Sequence, residues 1–248
     1  MSWSQNGAFL GLGLAVLSLL LLAVGPLGWR MGWWHYRFAF SWLMPASGIS
    51  AAAATVVAVL SVLLGWSQFD LKGTMTALVA LLMGVALAYV PWQYNRTRGT
   101  VPRIHDITTD TDHPPEFIAV LPARAAERAA TEVYEGSDLA RQQSAAYPDI
   151  KPLWVQSSVE TAFEQALAVA KSMPGWRIVA SDLQAGRIEA SQSSLWFGFT
   201  DDFVIRVAAD ASGIRIDMRS LSRQGRSDFG VNAARIRAYM GELKKRIL

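Results

Sequence analysis

Three long apolar runs dominate the first part of the chain. Residues 1–29, 38–69 and 73–95 contain no charged side chain, and each run exceeds the roughly 20 residues that cross a hydrocarbon core of about 30 Å. Long runs without alternation favour helices, which satisfy their own backbone hydrogen bonds inside a bilayer. We predict three transmembrane helices near residues 7–27, 43–65 and 73–92, with tryptophans clustered near their ends at headgroup level.

The first helix is predicted to be a retained anchor rather than a cleaved signal peptide. Residues 1–7 carry no Lys or Arg, and the apolar stretch exceeds the usual 7–15 residues of a signal peptide. The small residues at 47–54 would let backbones approach closely, either inside a three-helix bundle or in a homodimer. No ionisable side chain lies in the middle of a predicted span, so transport is not expected.

From residue 151 onward, the apolar residues recur at the short spacings of strands and amphipathic helices. Residues 152–155 are predicted to form a short strand, and Ser157 and Glu160 have the spacing of a capping box before a helix that ends at Pro174-Gly175. Four strand-like stretches follow at 176–182, 187–194, 202–209 and 214–222, and a last helix runs from 227 or 228 to 246. This β-α-β-β-β-β-α order predicts an α+β C-terminal domain, in which helices pack on one face of an antiparallel sheet. In the sequence, this domain follows the transmembrane α-helical N-terminal part.

The turn at 210–213 sets the register of the last two strands. If Ala209 faces Ile214, the next pairs on that face are apolar. The same register places Arg206 opposite Asp217 on the other face. The predicted apolar pairs are Val207 with Ile216 and Ile205 with Met218, followed by Phe203 with Ser220.

Charge divides the chain into parts and excludes some functions. Of 43 charged side chains, 39 lie from Arg96 onward, which predicts a membrane region at 1–95, a connecting strap and linker at 96–150 and a soluble domain at 151–248. The linker should contain helical pieces broken near 136 and 147. The net charge of +3 is small and dispersed, which argues against a nucleic-acid-binding surface. The absence of cysteine excludes disulfides and thiolate chemistry.

Basic residues near the predicted spans indicate an orientation. Arg30, Arg37, Arg96, Arg98 and Arg103 lie on the side of the C-terminal domain, whereas Lys72 alone lies on the other side. The positive-inside rule therefore predicts a cytoplasmic domain, with the chain in a bacterial inner membrane.

The connecting strap carries a cluster of histidine and aspartate: His105, Asp106, Asp110, Asp112 and His113. These side chains could ligate a divalent ion. Their spacing fits no recognised metal motif, and Asp/Thr runs commonly cap turns, so structural turns are favoured, with a ligand site as a third possibility. We predict no metal site and no cofactor.

Four segments together resemble a known family. They are 104–110, the Pro114-Pro115 pair with Phe117, 199–202, and the run 217–232 with its sequence DMRSLSRQGRSDFGVN. They resemble the domain-of-unknown-function family 1499 (DUF1499) over about residues 101–247, and the N-terminal helices look like the membrane anchor of some members. The resemblance implies no established activity. Some members are lipoproteins or lumenal chloroplast proteins, which would place the domain on the far side of its membrane.

The arginine- and serine-rich run with the adjoining strap is the candidate ligand site. A helix N-terminus beside arginines and hydroxyls can bind a carboxylate, a phosphate or a lipid headgroup. Alternatively, these groups cap the helix and form internal ion pairs. No catalytic arrangement is visible. The candidate residues are Arg219, Ser220, Ser222, Arg223, Ser227, Asp228, Asn232, Arg235, His105 and Asp106.

Two functions remain open on the sequence alone. The favoured one is a membrane-anchored binding or interaction module that recognises an anionic ligand or a partner. The alternative is an enzyme that acts on a small anionic or lipid-like substrate. The expected partners are the lipid bilayer and either a membrane protein or a second copy of the chain.

Overall fold

The computed structural model describes residues 3–67 and 71–247. The chain divides into two compact units, Met1–Thr100 and Val101–Leu248. Residues 101–150, predicted as strap and linker, thus group with the sheet domain. Part of the predicted loop between the second and third spans, at 68–70, lies outside the described residues.

The first unit consists of helices long and apolar enough to span a membrane. Helix α1 is Trp3–Arg30, the short α2 is Tyr36–Phe38, α3 is Met44–Ser67 and α4 is Leu71–Thr100, with a π-helical segment at Ala39–Leu43. The three segments of spanning length are Trp3–Arg30, Tyr36–Gly65 and Leu71–Thr100. They contain the three predicted spans; the first and third extend beyond them at both ends, and the second extends beyond its span only at the N-terminal end.

Small side chains allow these helices to pack closely. Ala51, Ala54 and Ser47 are fully buried, so the predicted small-residue run packs inside the bundle. The Ser18 hydroxyl donates to the carbonyl of Ser47 at 3.0 Å, and that of Ser50 donates to the carbonyl of Leu14 at 2.7 Å. Apolar side chains such as Leu82 and Ile49 point outward, as lipid contact requires.

The second unit is a six-stranded antiparallel sheet with helices, which confirms the predicted fold class. Strands β1 and β2 pair with different parts of the same side of β6, and the remaining order is β6-β5-β4-β3. The strands are β1 (Asp106–Thr108), β2 (Leu153–Val155), β3 (Arg177–Asp182), β4 (Arg187–Ser193), β5 (Thr200–Asp210) and β6 (Gly213–Ser222). The helices are α5 (Leu121–Ala126), α6 (Ser137–Ala146), α7 (Val159–Ser172) and α8 (Val231–Ile247).

The predicted register between β5 and β6 is confirmed. Ile205 pairs with Met218 and Arg206 with Asp217. The apolar partners are buried beneath α7 and α8 in one core, which we call the helix face of the sheet. The sheet therefore follows the period-two alternation of its sequence.

Two helix starts differ from their predictions by a few residues. Ser158, not Ser157, caps α7 by accepting from the N–H of Thr161 at 3.1 Å. Helix α8 begins at Val231 because Phe229 and Gly230 have positive φ angles of 54° and 84°, which helical residues do not adopt.

Candidate functional site

The second face of the sheet carries charged side chains, yet it is not open to water. Residues 109–130, which we call the covering segment, lie over it, and Phe117 and Val120 pack on Val204 and Leu221. A sheet face with this many charges is normally solvated. Here its charges form a layer, the ionic layer, in which Arg206 and Arg215 are partly exposed and the other side chains are buried. Its members are Asp106, Asp110, Arg124, Glu189, Asp202, Arg206, Arg215, Asp217, Arg219 and Arg223.

Asp202 holds two arginines from different parts of the chain. Its Oδ2 accepts from Nη1 of Arg124 and from Nε of Arg223, both at 2.8 Å, and its Oδ1 accepts from Nη2 of Arg223 at 2.7 Å. Asp202 is 0% exposed. Glu127 also pairs with Arg223, and these carboxylates raise the pKa of that guanidinium. The cluster ties helix α5 to the sheet.

Arg219 makes the second pairing, with Asp106 of β1. The two side chains bond through two parallel N–H groups, at 2.9 Å and 2.7 Å. The remaining donors of Arg219 reach the carbonyls of Pro115 at 3.2 Å and Glu132 at 2.7 Å. Its guanidinium lies 5.1 Å from the ring centre of Phe117. Every side of this arginine is occupied by the protein itself.

Asp110 and Asp217 share Arg206 and Arg215. Arg206 donates to Asp217 at 2.7 Å and to Asp110 at 2.9 Å, while Arg215 approaches Asp110 at 2.7 Å. Asp110 also accepts from the N–H groups of Asp112 and His113, which confirms the predicted turn. Burial would raise the pKa of Asp110, but these hydrogen bonds and the charge of Arg215 hold it below its usual value.

Glu189 binds the backbone of the covering segment. Its carboxylate accepts from three consecutive N–H groups, those of Ile118, Ala119 and Val120, at 2.9 to 3.1 Å. Such a run of N–H groups is a concave anion site, and here the protein fills it with its own fully buried carboxylate.

A separate polar cluster lies on the helix face, where α8 meets β6. Arg235 donates to Ser220 at 2.9 Å, to Asp201 at 2.7 Å and to Gln192 at 3.0 Å. The Asn232 amide accepts from the Ser220 hydroxyl at 2.6 Å. It donates to Ser222 at 3.0 Å and to the carbonyl of His105 at 2.9 Å. This network holds the start of β1 against α8.

Asp228 occupies the N-terminus of α8. Its carboxylate accepts from the N–H groups of Gly230 at 2.9 Å and Asn232 at 2.8 Å, while Ser227 accepts from that of Phe229 at 3.4 Å. Burial raises the pKa of Asp228, and the hydrogen bonds from the two amides oppose that shift. The protein's own carboxylate thus takes the position that an anion would take at this helix end.

The structure separates nine of the ten predicted site residues into two sets, and His105 lies apart from both. Arg219, Arg223 and Asp106 belong to the ionic layer, whereas the helix-face cluster lies across the sheet from them. The second set contains Ser220, Ser222, Ser227, Asp228, Asn232 and Arg235. His105 lies at the start of β1, and its Nδ1 is buried without a hydrogen-bond partner among the described residues.

A cleft of about 230 Å³ opens beside the start of β1. Arg103 and Arg226 are exposed, and neither forms an ion pair or hydrogen bond with any described residue, in contrast to the arginines of the ionic layer. Glu135 supplies a carboxylate to the lining. The lining residues are Arg103, Ile104, His105, Asp106, Thr131, Val133, Glu135, Leu139, Gln142, Leu221 and Arg226.

Several residues of the cleft and of the ionic layer were not predicted as site residues. Arg226 was recognisable, because it lies inside the motif run at 217–232. Arg124 and Glu189 carry no local signal, since their partners lie 78 and about 70 residues away.

Among the described residues, no group of three or more His, Cys, Asp or Glu side chains could hold a metal ion.

Comparison with known proteins gives one match. A family profile described as "Protein of unknown function (DUF1499)" matches residues 106–243, which is more than half of the chain. The match lies within the sheet domain and includes every residue of the ionic layer. No curated protein and no solved structure matches.

Proposed function

We propose that this chain, which belongs to the DUF1499 family of proteins of unknown function, is a membrane-anchored binding module that recognises an anionic group in the cleft beside β1. The observation that supports the proposal is the contrast between two kinds of arginine. Those of the ionic layer use their donors on carboxylates of the protein, whereas Arg103 and Arg226 line the cleft without a partner in the part of the chain that the structure describes. A free guanidinium binds carboxylate or phosphate through two parallel N–H groups.

The other groups of the cleft limit what can bind. Leu139, Val133 and Leu221 give it an apolar wall, so a ligand with a short hydrocarbon part beside its anionic group would fit. Glu135 would repel a second negative charge and attract a cationic group. The best-matched ligand is a small organic phosphate or carboxylate with one charged end.

Replacing Arg226 with alanine should weaken anion binding without unfolding the domain. The full chain in nanodiscs would be titrated calorimetrically with inorganic phosphate, glycerol 3-phosphate and butyrate. Loss of one charge-assisted contact should weaken binding by about tenfold or more, because such hydrogen bonds contribute roughly 1.5–3 kcal/mol. Arg177→Ala is the matched control, since Arg177 is exposed at the β3 edge, far from β1. Wild-type heats indistinguishable from buffer for all three probes would contradict the proposal.

An enzyme is the second candidate, because His105 lines the same cleft with its Nδ1 buried and unpartnered. An imidazole so placed could act as a general acid or base. Phosphorus NMR of the glycerol 3-phosphate sample would separate the candidates. Release of free phosphate that His105→Gln abolishes would favour the enzyme, and an unchanged spectrum would favour binding alone.

We propose that the sheet domain faces the cytoplasm of a bacterial cell, on the basis of the five arginines that flank the spans on its side. The chain contains no cysteine, so Ala211→Cys in the exposed β5–β6 turn introduces a unique label site. A membrane-impermeant maleimide should label it in opened but not in intact spheroplasts. Equal labelling of both would place the domain outside the cytoplasm.

A further inference from the structure

The loop between β4 and β5 exposes large apolar side chains at its tip. Leu195 is 94% exposed and Trp196 is 42% exposed. Beneath them Phe197 is buried and stacks on Phe199, with ring centres 5.1 Å apart. Hydrogen bonds between Ser194 and Phe199 close the loop, including one of 2.8 Å from the N–H of Ser194 to the carbonyl of Phe199. The ordered rings below hold Leu195 and Trp196 outward.

This loop lies at the end of the sheet where the chain enters from its third apolar helix. Asp106, the first residue of β1, pairs with Leu221, and Asp201, near the start of β5, pairs with Ser222. The start of β1 and the 194–199 loop therefore share one end of the sheet. The β5–β6 turn at 211–212 lies at the opposite end.

Only a short length of chain joins the predicted third span to that end of the sheet. From the predicted end of the third span at 92, the helix continues to Thr100, which adds about 12 Å at 1.5 Å per residue. Residues 101–105 can add at most about 17 Å when fully extended. A tether of at most about 30 Å of chain thus joins the predicted end of the third span to the start of β1, at the loop end of the sheet.

We propose that Leu195 and Trp196 insert into the surface of the bilayer crossed by the three helices, which fixes the domain to the membrane at a second point. Tryptophan prefers the headgroup level, and an aliphatic side chain beside it can enter the acyl region. The tether makes this contact intramolecular, so a small apolar tip is sufficient where a free domain would need a larger one. The contact does not depend on a ligand in the cleft.

A fluorescent label at the loop tip would test the insertion. Leu195→Cys in the full chain, labelled with an environment-sensitive nitrobenzoxadiazole dye in phosphatidylcholine nanodiscs, should show blue-shifted emission and strong quenching by nitroxide-bearing lipids. The absence of native cysteine makes this label unique. Ala211→Cys, exposed at the opposite end of the sheet, is the matched control and should remain unshifted and unquenched.

The possible outcomes separate lipid from other partners. Emission at Leu195→Cys equal to that of the control would place the loop in water and overturn the proposal. A blue shift without quenching by lipid nitroxides would indicate a protein partner and overturn it as well. In the Leu195→Cys background, Trp196→Asp should reduce the quenching to the control level, and unchanged quenching would exclude Trp196 as an anchor. Arg226→Ala should leave the quenching unchanged.

Discussion

Replacing Asp202 with alanine should cost about 3–5 kcal/mol of folding free energy, because removing one partner of a buried ion pair leaves uncompensated charge in the interior. We expect a large loss of stability because Asp202 forms ion pairs with both Arg124 and Arg223, and all three side chains are buried. A loss of this size approaches the whole stability of a typical domain. Resistance to proteolysis in urea, with the full chain in nanodiscs, would measure it.

Two further variants would show that Asp202→Ala destabilises the domain through the lost carboxylate charge and not through the lost side-chain volume. Asp138→Ala removes a carboxylate from an exposed pair with Arg141 and should change stability by less than about 1 kcal/mol. Combining Asp202→Leu with Arg124→Met and Arg223→Met should restore most of the loss, since apolar replacements of a whole buried ionic cluster are often tolerated. Equal effects of Asp202→Ala and Asp138→Ala would show that the ionic layer contributes little.

The strand register and the buried residues of the helix face could be predicted because the residues that determine them lie close together in the sequence. Alternation along β5 and β6, together with the short turn at 210–213, is sufficient to pair Ile205 with Met218 and Arg206 with Asp217. A shift of one residue would expose Met218 and bury charged side chains against the helices. Only one register therefore satisfies both faces.

The ionic layer could not be predicted from local patterns. A strand face that carries Arg206, Asp217 and Arg219 ordinarily faces water, and nothing within β5 or β6 indicates that another segment covers it. The cover comes from 109–130, about 100 residues earlier in the chain, as in the pairing of Arg206 with Asp110 across 96 positions. Its Pro and Asp content indicates turns but does not indicate the surface on which they pack.

The candidate site illustrates the same limit in a different way. Adjacent strand residues point to opposite faces, so Arg219 and Ser220 could be assigned to different sides of the sheet from sequence alone. What sequence could not provide is the partner of each arginine. Arg223 and Arg226 lie three positions apart, yet the first is buried against Asp202 and the second lines the cleft with no partner in residues 3–67 and 71–247. The difference follows from tertiary packing, which decides which charges reach water.

Replacing Glu189 with glutamine should release the covering segment while leaving the sheet intact. The carboxylate offers acceptors to three consecutive N–H groups, and glutamine would turn an N–H₂ donor toward some of them. Hydrogen bonds to charged groups contribute roughly 1.5–3 kcal/mol, so local opening should become at least about tenfold more frequent. Hydrogen exchange of the Ile118, Ala119 and Val120 amides would record this change directly.

The same exchange experiment separates local release from general destabilisation. The amide of Ile205, in the middle of β5, should keep its protection in Glu189→Gln if only the covering segment opens, because β4 and β6 flank it on both sides. Glu164→Gln, an isosteric change at an exposed position of α7, should alter neither group of amides. Equal acceleration at Ile118 and Ile205 would mean that Glu189 stabilises the whole domain, and the covering segment would then be an inseparable part of the sheet's fold.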